Sequence, residues 1–483
     1  MPLIPSNLLG FILFVEYHSI FVLSRQSFEY LRMITIYGDN MSKKHTILIG
    51  TFILTATGLL SRFIGFFFRM FLSHAFGEEQ VGLYHLIFPI YALCFSFTSA
   101  GIETSISRCV AQKISLNKKA EANQIFYSGL SISLLLSILS LFFLQTYASE
   151  ISIHILGDIR CEPMLIAISY AIPFASIHSC VCGYYLGLRQ TKIPAISQLI
   201  EQIVRVFSVY IIYQTASSHN NSSNILSAVM GIVVGEFFST LFCIHYFTKH
   251  HSESKFNLKS MCSFKPVKEL LQMSVPLTSS RILLNVLQSI ESISIPLRLQ
   301  QYGYTNSEAL GNYGVLCGMA LPCVLFPSAI TNSISTMLLP TVAEIQATKN
   351  YSHLKSLIGK VCFSCVSLGS ICCFGFFLLS DWIGIHLFHS VLAGTYLKIL
   401  SWICPFLYLN STLVSIINGL GKANISFFIN AIGLSIRITG VLIFIPLIGM
   451  NGYLWGLLLS QISTCTLCNL FLLLHFKKIV IAQ

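Results

Sequence analysis

One apolar stretch occurs twice in this chain: residues 173–205 read PFASIHSCVCGYYLGLRQTKIPAISQLIEQIVR, and residues 405–437 read PFLYLNSTLVSIINGLGKANISFFINAIGLSIR. Proline, phenylalanine, glycine and arginine match at a constant offset of 232 residues. The matched pairs are Pro173 with Pro405, Phe174 with Phe406, Gly187 with Gly419, Arg205 with Arg437 and, further upstream, His154 with His386. The chain is a duplicated unit, and duplication in so apolar a chain is typical of transporters.

The composition argues against a water-soluble fold. Of the 483 residues, 54% are hydrophobic and 10% are charged, against roughly 25% charged residues in an ordinary soluble domain. A helix needs about 20 mostly apolar residues to cross a bilayer. We therefore predict an all-α polytopic membrane protein with twelve transmembrane helices, at residues 46–73, 81–107, 122–146, 164–187, 193–213, 225–247, 270–298, 312–340, 356–379, 395–419, 424–446 and 451–476.

The predicted helices form two sets of six. Residues 41–247 make an N-lobe with helices 1–6, residues 248–269 a cytoplasmic linker, and residues 270–483 a C-lobe with helices 7–12. Because six is even, both halves enter the membrane from the same side, which predicts two parallel repeats around a central cavity. Residues 1–40 stand outside the repeat, and we interpret them as an upstream extension or the product of a misplaced start codon.

Charge is distributed unevenly between alternate loops. The net charge is +11, and the basic residues lie in every second loop, among them Lys113, Arg189, Lys268, Lys355, Lys422 and Lys477. The intervening loops are acidic, with Glu78, Glu79, Asp158, Glu162, Glu308 and Asp381. The positive-inside rule then predicts a plasma-membrane protein with both termini cytoplasmic. No aromatic-interleaved basic module accompanies these charges, so we expect no nucleic-acid partner.

Ionisable residues also fall inside the predicted spans, where each costs roughly 2.5–3.5 kcal/mol on insertion scales. Six arginines face four glutamates, which predicts a net positive cavity and an anionic substrate, since arginine binds phosphate or carboxylate with two parallel hydrogen bonds. The candidate substrate-binding residues are Arg62, Arg69, Arg205, Arg281 and Arg298. The candidates for ion coupling or charge pairing are Glu103, Glu201, Glu236 and Glu291, and the sixth arginine is Arg437.

Several of these residues have simpler interpretations. Glu201 and Arg205 are one helical turn apart and could form a structural pair, and Arg69 and Arg298 could snorkel to span ends. His386 and His389 fall in an outer amphipathic segment, which favours interfacial packing over metal binding. The cysteines lie mostly within spans and resemble small buried hydrophobic residues. Phosphate-binding loops and catalytic motifs are absent, so we expect neither an enzyme nor a cofactor or metal.

A family resemblance rests on particular motifs. Ser61-Arg62-Phe-Ile-Gly65-Phe-Phe-Phe-Arg69, then Phe76-Gly77 and Gly82-Leu-Tyr84, resemble the first helix and following loop of the stage V sporulation protein B and polysaccharide flippase family. Residues 274–281 and 309–344 are similar to its second half. That family belongs to the multidrug/oligosaccharidyl-lipid/polysaccharide exporter superfamily. The resemblance implies two lobes around a cavity lined by Arg62. In the related lipid II flippases the second arginine comes six residues later, whereas Arg69 comes seven later.

The resemblance and the positive cavity together lead to one functional hypothesis. The chain is expected to flip undecaprenyl-pyrophosphate-linked saccharide precursors for cell wall, spore cortex or polysaccharide synthesis, by alternating access. The expected partners are the lipid-linked glycan, membrane lipids, a monovalent cation and cell-wall synthesis enzymes. Two alternatives stay open: a cation-coupled multidrug and toxin antiporter of the same superfamily, and a non-transporting membrane scaffold for cell-wall enzymes.

Overall fold

Helices make up almost all of the chain. The computed structural model describes residues 43–218, 224–250, 264–347 and 351–482, and these ranges contain helices and turns but no strand. The residues from Leu54 onward belong to one compact unit. The predicted extension 1–40 lies outside the described residues, as does most of the predicted linker 248–269. The prediction of an all-α polytopic membrane protein is confirmed.

Eighteen α-helices follow one another through the described residues. Their bounds are α1 Lys43–Leu86, α2 Phe88–Phe95, α3 Gly101–Ser115, α4 Lys119–Glu150, α5 Glu162–Ser169, α6 Ala171–Gly187, α7 Lys192–Ser218, α8 Leu226–His250, α9 Phe264–Tyr302, α10 Asn306–Gly314, α11 Leu321–Leu325, α12 Ser328–Ala347, α13 Tyr351–Trp382, α14 Val391–Leu400, α15 Cys404–Gly419, α16 Ala423–Thr439, α17 Ile445–Ile448 and α18 Met450–Ala482. Short π-helical turns join several of them, including Ser96–Ala100, Ile151–Leu156 and Ile383–Leu387.

The sequence duplication reappears as matching secondary structure. Helices α4 and α13 are both 32 residues long and begin 232 residues apart. Each runs into a π-helical turn, and that turn holds His154 in the first copy and His386 in the second. Both imidazoles place Nδ1 3.2 Å from the carbonyl oxygen four residues earlier. The offset found in the sequence is therefore also the offset between corresponding helices.

Ten helices in the described ranges are long and apolar enough to cross a membrane, or eleven if the bent pair Ile159–Ser169 and Ala171–Gly187 forms one span. The predicted number was twelve. The bent pair corresponds to the fourth predicted span, and the remaining difference arises because the first two predicted spans fall in one 61-residue run, Thr55–Ser115. Within that run the backbone of Gly77 is not helical (φ 78°, ψ 173°), a conformation that glycine adopts without steric cost. Division at Gly77 accounts for the additional predicted span.

The two ends of the helices differ in charge, and we name them accordingly. The basic face carries Lys113, Lys118, Arg189, Lys355 and Lys422, and the acidic face carries Glu79, Asp158, Glu162, Glu308 and Asp381. These loops alternate along the chain, so successive long helices run in opposite directions between the two faces.

Apolar packing differs between the two ends of the helices. Near the acidic face a single core combines first-lobe residues such as Phe76 and Leu156 with second-lobe residues such as Leu310 and Leu400. Near the basic face the core divides in two. One part runs from Ile102 to Cys243 with Leu270 of α9, and the other lies between Leu338 and Leu472. One continuous core thus lies near the acidic face, whereas near the basic face the core is divided and the start of α9 packs against first-lobe helices.

Candidate substrate cavity and charge clusters

Arg62 lies on α1 where the shared core ends. The first fully buried residue of α1 in that core is Phe68, whereas Leu59, Leu60 and Phe63 toward the basic face are exposed. Arg62 is exposed as well. With the Asn332 amide oriented to present its oxygen, that oxygen accepts hydrogen bonds from Nη1 at 3.3 Å and Nη2 at 3.2 Å. The guanidinium therefore bridges α1 and α12, helices of different lobes.

Arg69 lies two turns further along α1. It is exposed, and it is close enough to Arg205 to be influenced by its charge. Among the described residues no carboxylate forms an ion pair with Arg62 or Arg69. Two cations without carboxylate partners therefore lie on one helix.

Two of the three remaining candidate arginines, Arg281 and Arg298, form hydrogen bonds with other groups of the protein. Arg281 on α9 donates to the Ala100 carbonyl at 2.7 Å and to Thr104 Oγ1 at 3.0 Å. Ala100 ends a π-helical turn, which leaves carbonyls free for such contacts. Arg298 donates to Gln301 Oε1 at 2.7 Å on its own helix, near the acidic face. The structure thus separates the candidate arginines, and their role in substrate binding stays a prediction.

A compact charge cluster lies between α6, α7 and α8 of the first lobe. Arg205 forms an ion pair with Glu201 one turn away on α7. Glu236 on α8 is buried and lies 3.2 Å from Nδ1 of His178, whose Nε2 lies 3.0 Å from Ser197 Oγ. Ligand atoms of His178, Glu201 and Glu236 all lie within 4.8 Å of one another. Two carboxylates therefore share one arginine and one histidine.

Glycine brings the two carboxylate-bearing helices close together. A Cβ added at Gly235 would lie 2.8 Å from the Glu201 carbonyl oxygen, and one added at Gly231 would lie 2.2 Å from Val209 Cγ2. Any larger residue at either position would push α8 away from α7. The close approach holds Glu236 against the Glu201 and Arg205 pair.

Glu103 occupies a neighbouring position in the first turn of α3. Its Oε2 accepts a hydrogen bond from Ser179 Oγ at 2.9 Å, and Ser179 follows His178 on α6. Arg281 is close enough to influence its charge. Glu103 thus joins the edge of the first-lobe cluster.

The second lobe contains a simpler arrangement. Glu291 on α9 is 5% exposed, so its charge requires compensation. Its Oε2 lies 3.4 Å from Arg437 Nη2 on α16, and its Oε1 accepts a hydrogen bond from the Tyr453 hydroxyl at 2.9 Å. One arginine therefore neutralises one carboxylate, and this cluster carries no excess acid.

The repeat shows where the lobes differ chemically. The repeat partner of His178 is Asn410, 232 residues later. Asn410 Nδ2 donates a hydrogen bond to Gln461 Oε1 at 2.8 Å. Gln461 lies on α18, the last helix of the second lobe, just as Glu236, the partner of His178, lies on α8, the last helix of the first lobe. Likewise Gly433 stands opposite Glu201 at the same offset. An ionisable pair in the first lobe is thus a neutral amide pair in the second.

Sequence reasoning missed several residues of these clusters. The sequence around His178, Ser197 and Tyr453 is that of apolar helices, and only the side-chain contacts show that these residues belong to the charge clusters. Asn332 had a signal in the sequence, because it follows Glu103 by 229 residues, the offset at which Phe97, Ser99 and Ala100 recur as Phe326, Ser328 and Ala329. His389 contacts His74, with 2.9 Å between Nδ1 and Nε2, which is a packing contact between the lobes at the acidic face.

Comparison with known proteins shows the family of this chain. A sequence profile described as polysaccharide biosynthesis protein matches residues 47–346. The chain belongs to this family. Stage V sporulation protein B of Bacillus subtilis (strain 168) is 27% identical over 416 residues, which cover 85% of this chain and 80% of the relative. The family resemblance predicted from the Ser61 to Arg69 motif is therefore confirmed.

Two solved structures have the same fold. One is the lipid II flippase MurJ in an inward closed conformation, with a TM-score of 0.68 and 16% identity over 87% of each chain. The other is an inward-facing multidrug resistance transporter of the MATE family and MOP superfamily, with a TM-score of 0.64 and 14% identity over 86% of this chain and 93% of that chain. This polysaccharide biosynthesis family protein is a multi-pass membrane protein with the fold of these two proteins.

Proposed function

We propose that this protein flips undecaprenyl-pyrophosphate-linked saccharide precursors across the plasma membrane for cell-wall, spore-cortex or polysaccharide synthesis. The observation that carries the proposal is Arg62, an exposed cation at the point where the two lobes separate, with Asn332 of the other lobe beside it. A phosphate group matches a guanidinium through two parallel hydrogen bonds. The pyrophosphate would therefore replace or join Asn332 at Arg62.

The substrate has three chemically distinct parts, and each would take a different path. Arg62 and Arg69 would neutralise the pyrophosphate, which in lipid alone faces a large desolvation cost. The saccharide would cross in the wet space between lobes, and the polyprenyl tail would remain in lipid. We propose the predicted lobe boundaries, 41–247 and 270–483, for the two moving parts.

Alternating access would require the acidic face to open. Contacts between lobes that must then break include Asp158 Oδ2 with Asn306 Nδ2 at 2.8 Å and His74 Nε2 with the Leu387 carbonyl at 2.7 Å. The positive-inside rule supports a cytoplasmic basic face and cytoplasmic termini. In that orientation the divided core faces the cytoplasm, where a newly made precursor would enter between its two parts.

The empty carrier needs an energy source to return to its substrate-binding state, and we propose that this energy is coupled through the first lobe. Glu201 and Glu236 outnumber Arg205 there, so a proton or a monovalent cation would complete the charge balance. The second lobe has one arginine for Glu291 and a neutral amide pair. Each charge moved across 100 mV contributes about 2.3 kcal/mol. No cofactor enters this scheme, and no covalent bond is made or broken.

The same acidic cluster favours one alternative function, a cation-coupled antiporter for organic cations. Such a carrier would place substrate against Glu201 and Glu236, whereas the proposed flippase places it against Arg62. The test is a proteoliposome assay that compares fluorescent undecaprenyl-pyrophosphate saccharides with cationic dyes, with and without an imposed membrane potential. Movement of the lipid-linked saccharide supports the flippase. Movement of dyes alone would establish the antiporter and reject the proposal.

A further inference from the structure

We propose that His178, Cys182 and Cys243 form a zinc site inside the first lobe. The ligand atoms of these three side chains all lie within 4.8 Å of one another. His178 and Cys182 are one turn apart on α6, so both side chains leave the same face of the helix. Cys243 comes from α8, so the ion would tie two helices together.

The spacing is close to that of a loaded site. Zinc binds sulfur at about 2.3 Å and imidazole nitrogen at about 2.0–2.1 Å, so ligands of one ion lie within roughly 4.6 Å of each other. Only small side-chain rotations separate the observed arrangement from that limit. Ser197 Oγ, 3.0 Å from His178 Nε2 and 3.5 Å from Cys182 Sγ, supplies an oxygen beside the fourth position.

The histidine already has the support that a metal ligand requires. Nδ1 of His178 lies 3.2 Å from Glu236 Oε2, which fixes the donor hydrogen on Nδ1. Nε2 then lies on the side of Ser197 and Cys182, where its lone pair can bind a metal ion. In protein zinc sites the ligating histidine commonly donates its other ring hydrogen to a carboxylate, which orients the ring and raises its basicity.

Charge and ligand type select the ion. Both cysteines are buried, and two thiolates with one divalent cation form a group without net charge, which suits burial within a membrane protein. Thiolate and imidazole favour zinc over sodium, magnesium or calcium, which prefer oxygen. Zinc binding would displace the two thiol protons, and no oxidation takes place. The general interpretation of the cysteines as small hydrophobic residues does not extend to this pair.

The test uses the full-length protein purified in detergent, stripped of metal with a chelator and then supplied with zinc chloride. We expect one tightly held zinc per chain by mass spectrometry of the elements, and a thiolate charge-transfer band when cobalt(II) replaces zinc. Cys182→Ser and Cys243→Ser should each lose the ion and the band. Cys180→Ser is the matched control, since Cys180 is equally buried on the same helix but is not part of the cluster.

Two further measurements distinguish loss of zinc binding from misfolding of the variants. In the unmodified protein, zinc should raise the melting temperature and magnesium should not, since an ion that binds only the folded state stabilises it. Glu236→Gln should retain the stoichiometry but weaken zinc affinity about 10- to 100-fold. A chain that retains no zinc, that retains it equally after Cys182→Ser, or that contains a Cys182 to Cys243 disulfide would overturn the proposal.

Discussion

Gly82 and Gly314 bring helices of the two lobes into backbone contact near the acidic face. A Cβ added at Gly314 would lie 2.1 Å from the Glu78 carbonyl oxygen and 2.6 Å from the Gly82 backbone nitrogen. A Cβ added at Gly82 would lie 2.0 Å from the Leu310 carbonyl oxygen. Backbone atoms cannot move aside as a flexible side chain can. The closed acidic face therefore depends on both residues being glycine.

Gly314→Ala is expected to force the lobes apart at the acidic face. Amide hydrogen exchange should accelerate in α10 and in the end of α1, since the shared core loses its close packing. Gly375→Ala is the matched control, because a Cβ there meets nothing within 4 Å. That substitution should be neutral or should stabilise the protein by about 0.4–1 kcal/mol, because alanine lowers the conformational entropy of the unfolded chain. Equal exchange in the two variants would contradict the role of the glycine contact.

Asp158 connects the lobes at the same face and predicts a pH dependence. It accepts hydrogen bonds from Asn306 Nδ2 at 2.8 Å and Arg160 Nη2 at 2.7 Å. Burial opposes ionisation, but the hydrogen bonds from Arg160 and Asn306 outweigh it and lower the pKa of the Asp158 carboxyl below its ordinary value. The carboxylate therefore stabilises the closed face at pH values above that ordinary value, and the stabilisation is lost as the pH falls through the lowered pKa.

Asp158→Asn should remove this acid sensitivity. Melting temperatures measured from neutral pH down to pH 3 should fall more steeply for the unmodified protein than for the variant, since only the former protonates Asp158. Asp381→Asn, another acidic-face substitution, provides the comparison. Parallel curves for the Asp158 variant and the unmodified protein would show that the carboxylate does not hold the lobes together.

The buried pair of Glu291 and Arg437 should show strong coupling. Removing one partner leaves the other charge buried without compensation, which costs about 3–5 kcal/mol. Arg437→Met and Glu291→Gln should each destabilise the protein by that order, and the double variant should cost less than the sum. Denaturant unfolding in mixed micelles measures the coupling free energy. Additive effects would mean that the two side chains do not interact.

The ionisable pair His178 and Glu236 of the first lobe can be replaced by the amide side chains found at the corresponding place in the second lobe. His178→Asn with Glu236→Gln copies the pair formed by Asn410 and Gln461, so the variant should still fold. We expect transport that no longer responds to an imposed proton or sodium gradient, because the ionisable pair is gone. Flux recorded in proteoliposomes with and without each gradient provides the measurement. Unchanged gradient dependence would place coupling elsewhere.

The sequence predicted the helical scaffold well because long apolar runs and a duplicated pattern report directly on membrane helices. The offset between His154 and His386 recurs as the offset between α4 and α13, which are equally long. The pairing of charges was harder to foresee. Glu201 and Arg205 pair within one helix and were visible from spacing, but the ion pair between Glu291 and Arg437 joins α9 and α16, which are far apart in the sequence.

The contacts of the arginines depended on helix packing that periodicity does not encode. Arg281 is bound to the Ala100 carbonyl because a π-helical turn exposes that oxygen, and the sequence gives no sign of the turn. His178 became a candidate only through its contacts with Glu236 and Ser197. Residue spacing within a helix is therefore informative, whereas partnership between helices requires the fold.

The central claim is that Arg62 binds the pyrophosphate of the lipid-linked precursor. The most direct measurement compares flipping of fluorescent undecaprenyl-pyrophosphate saccharide by the unmodified protein, Arg62→Ala and Arg108→Ala in proteoliposomes with equal amounts of inserted protein. Arg108 is an exposed arginine outside the proposed cavity contacts. We predict that Arg62→Ala abolishes flipping and Arg108→Ala leaves it near the unmodified rate. Normal flipping by Arg62→Ala would contradict the account.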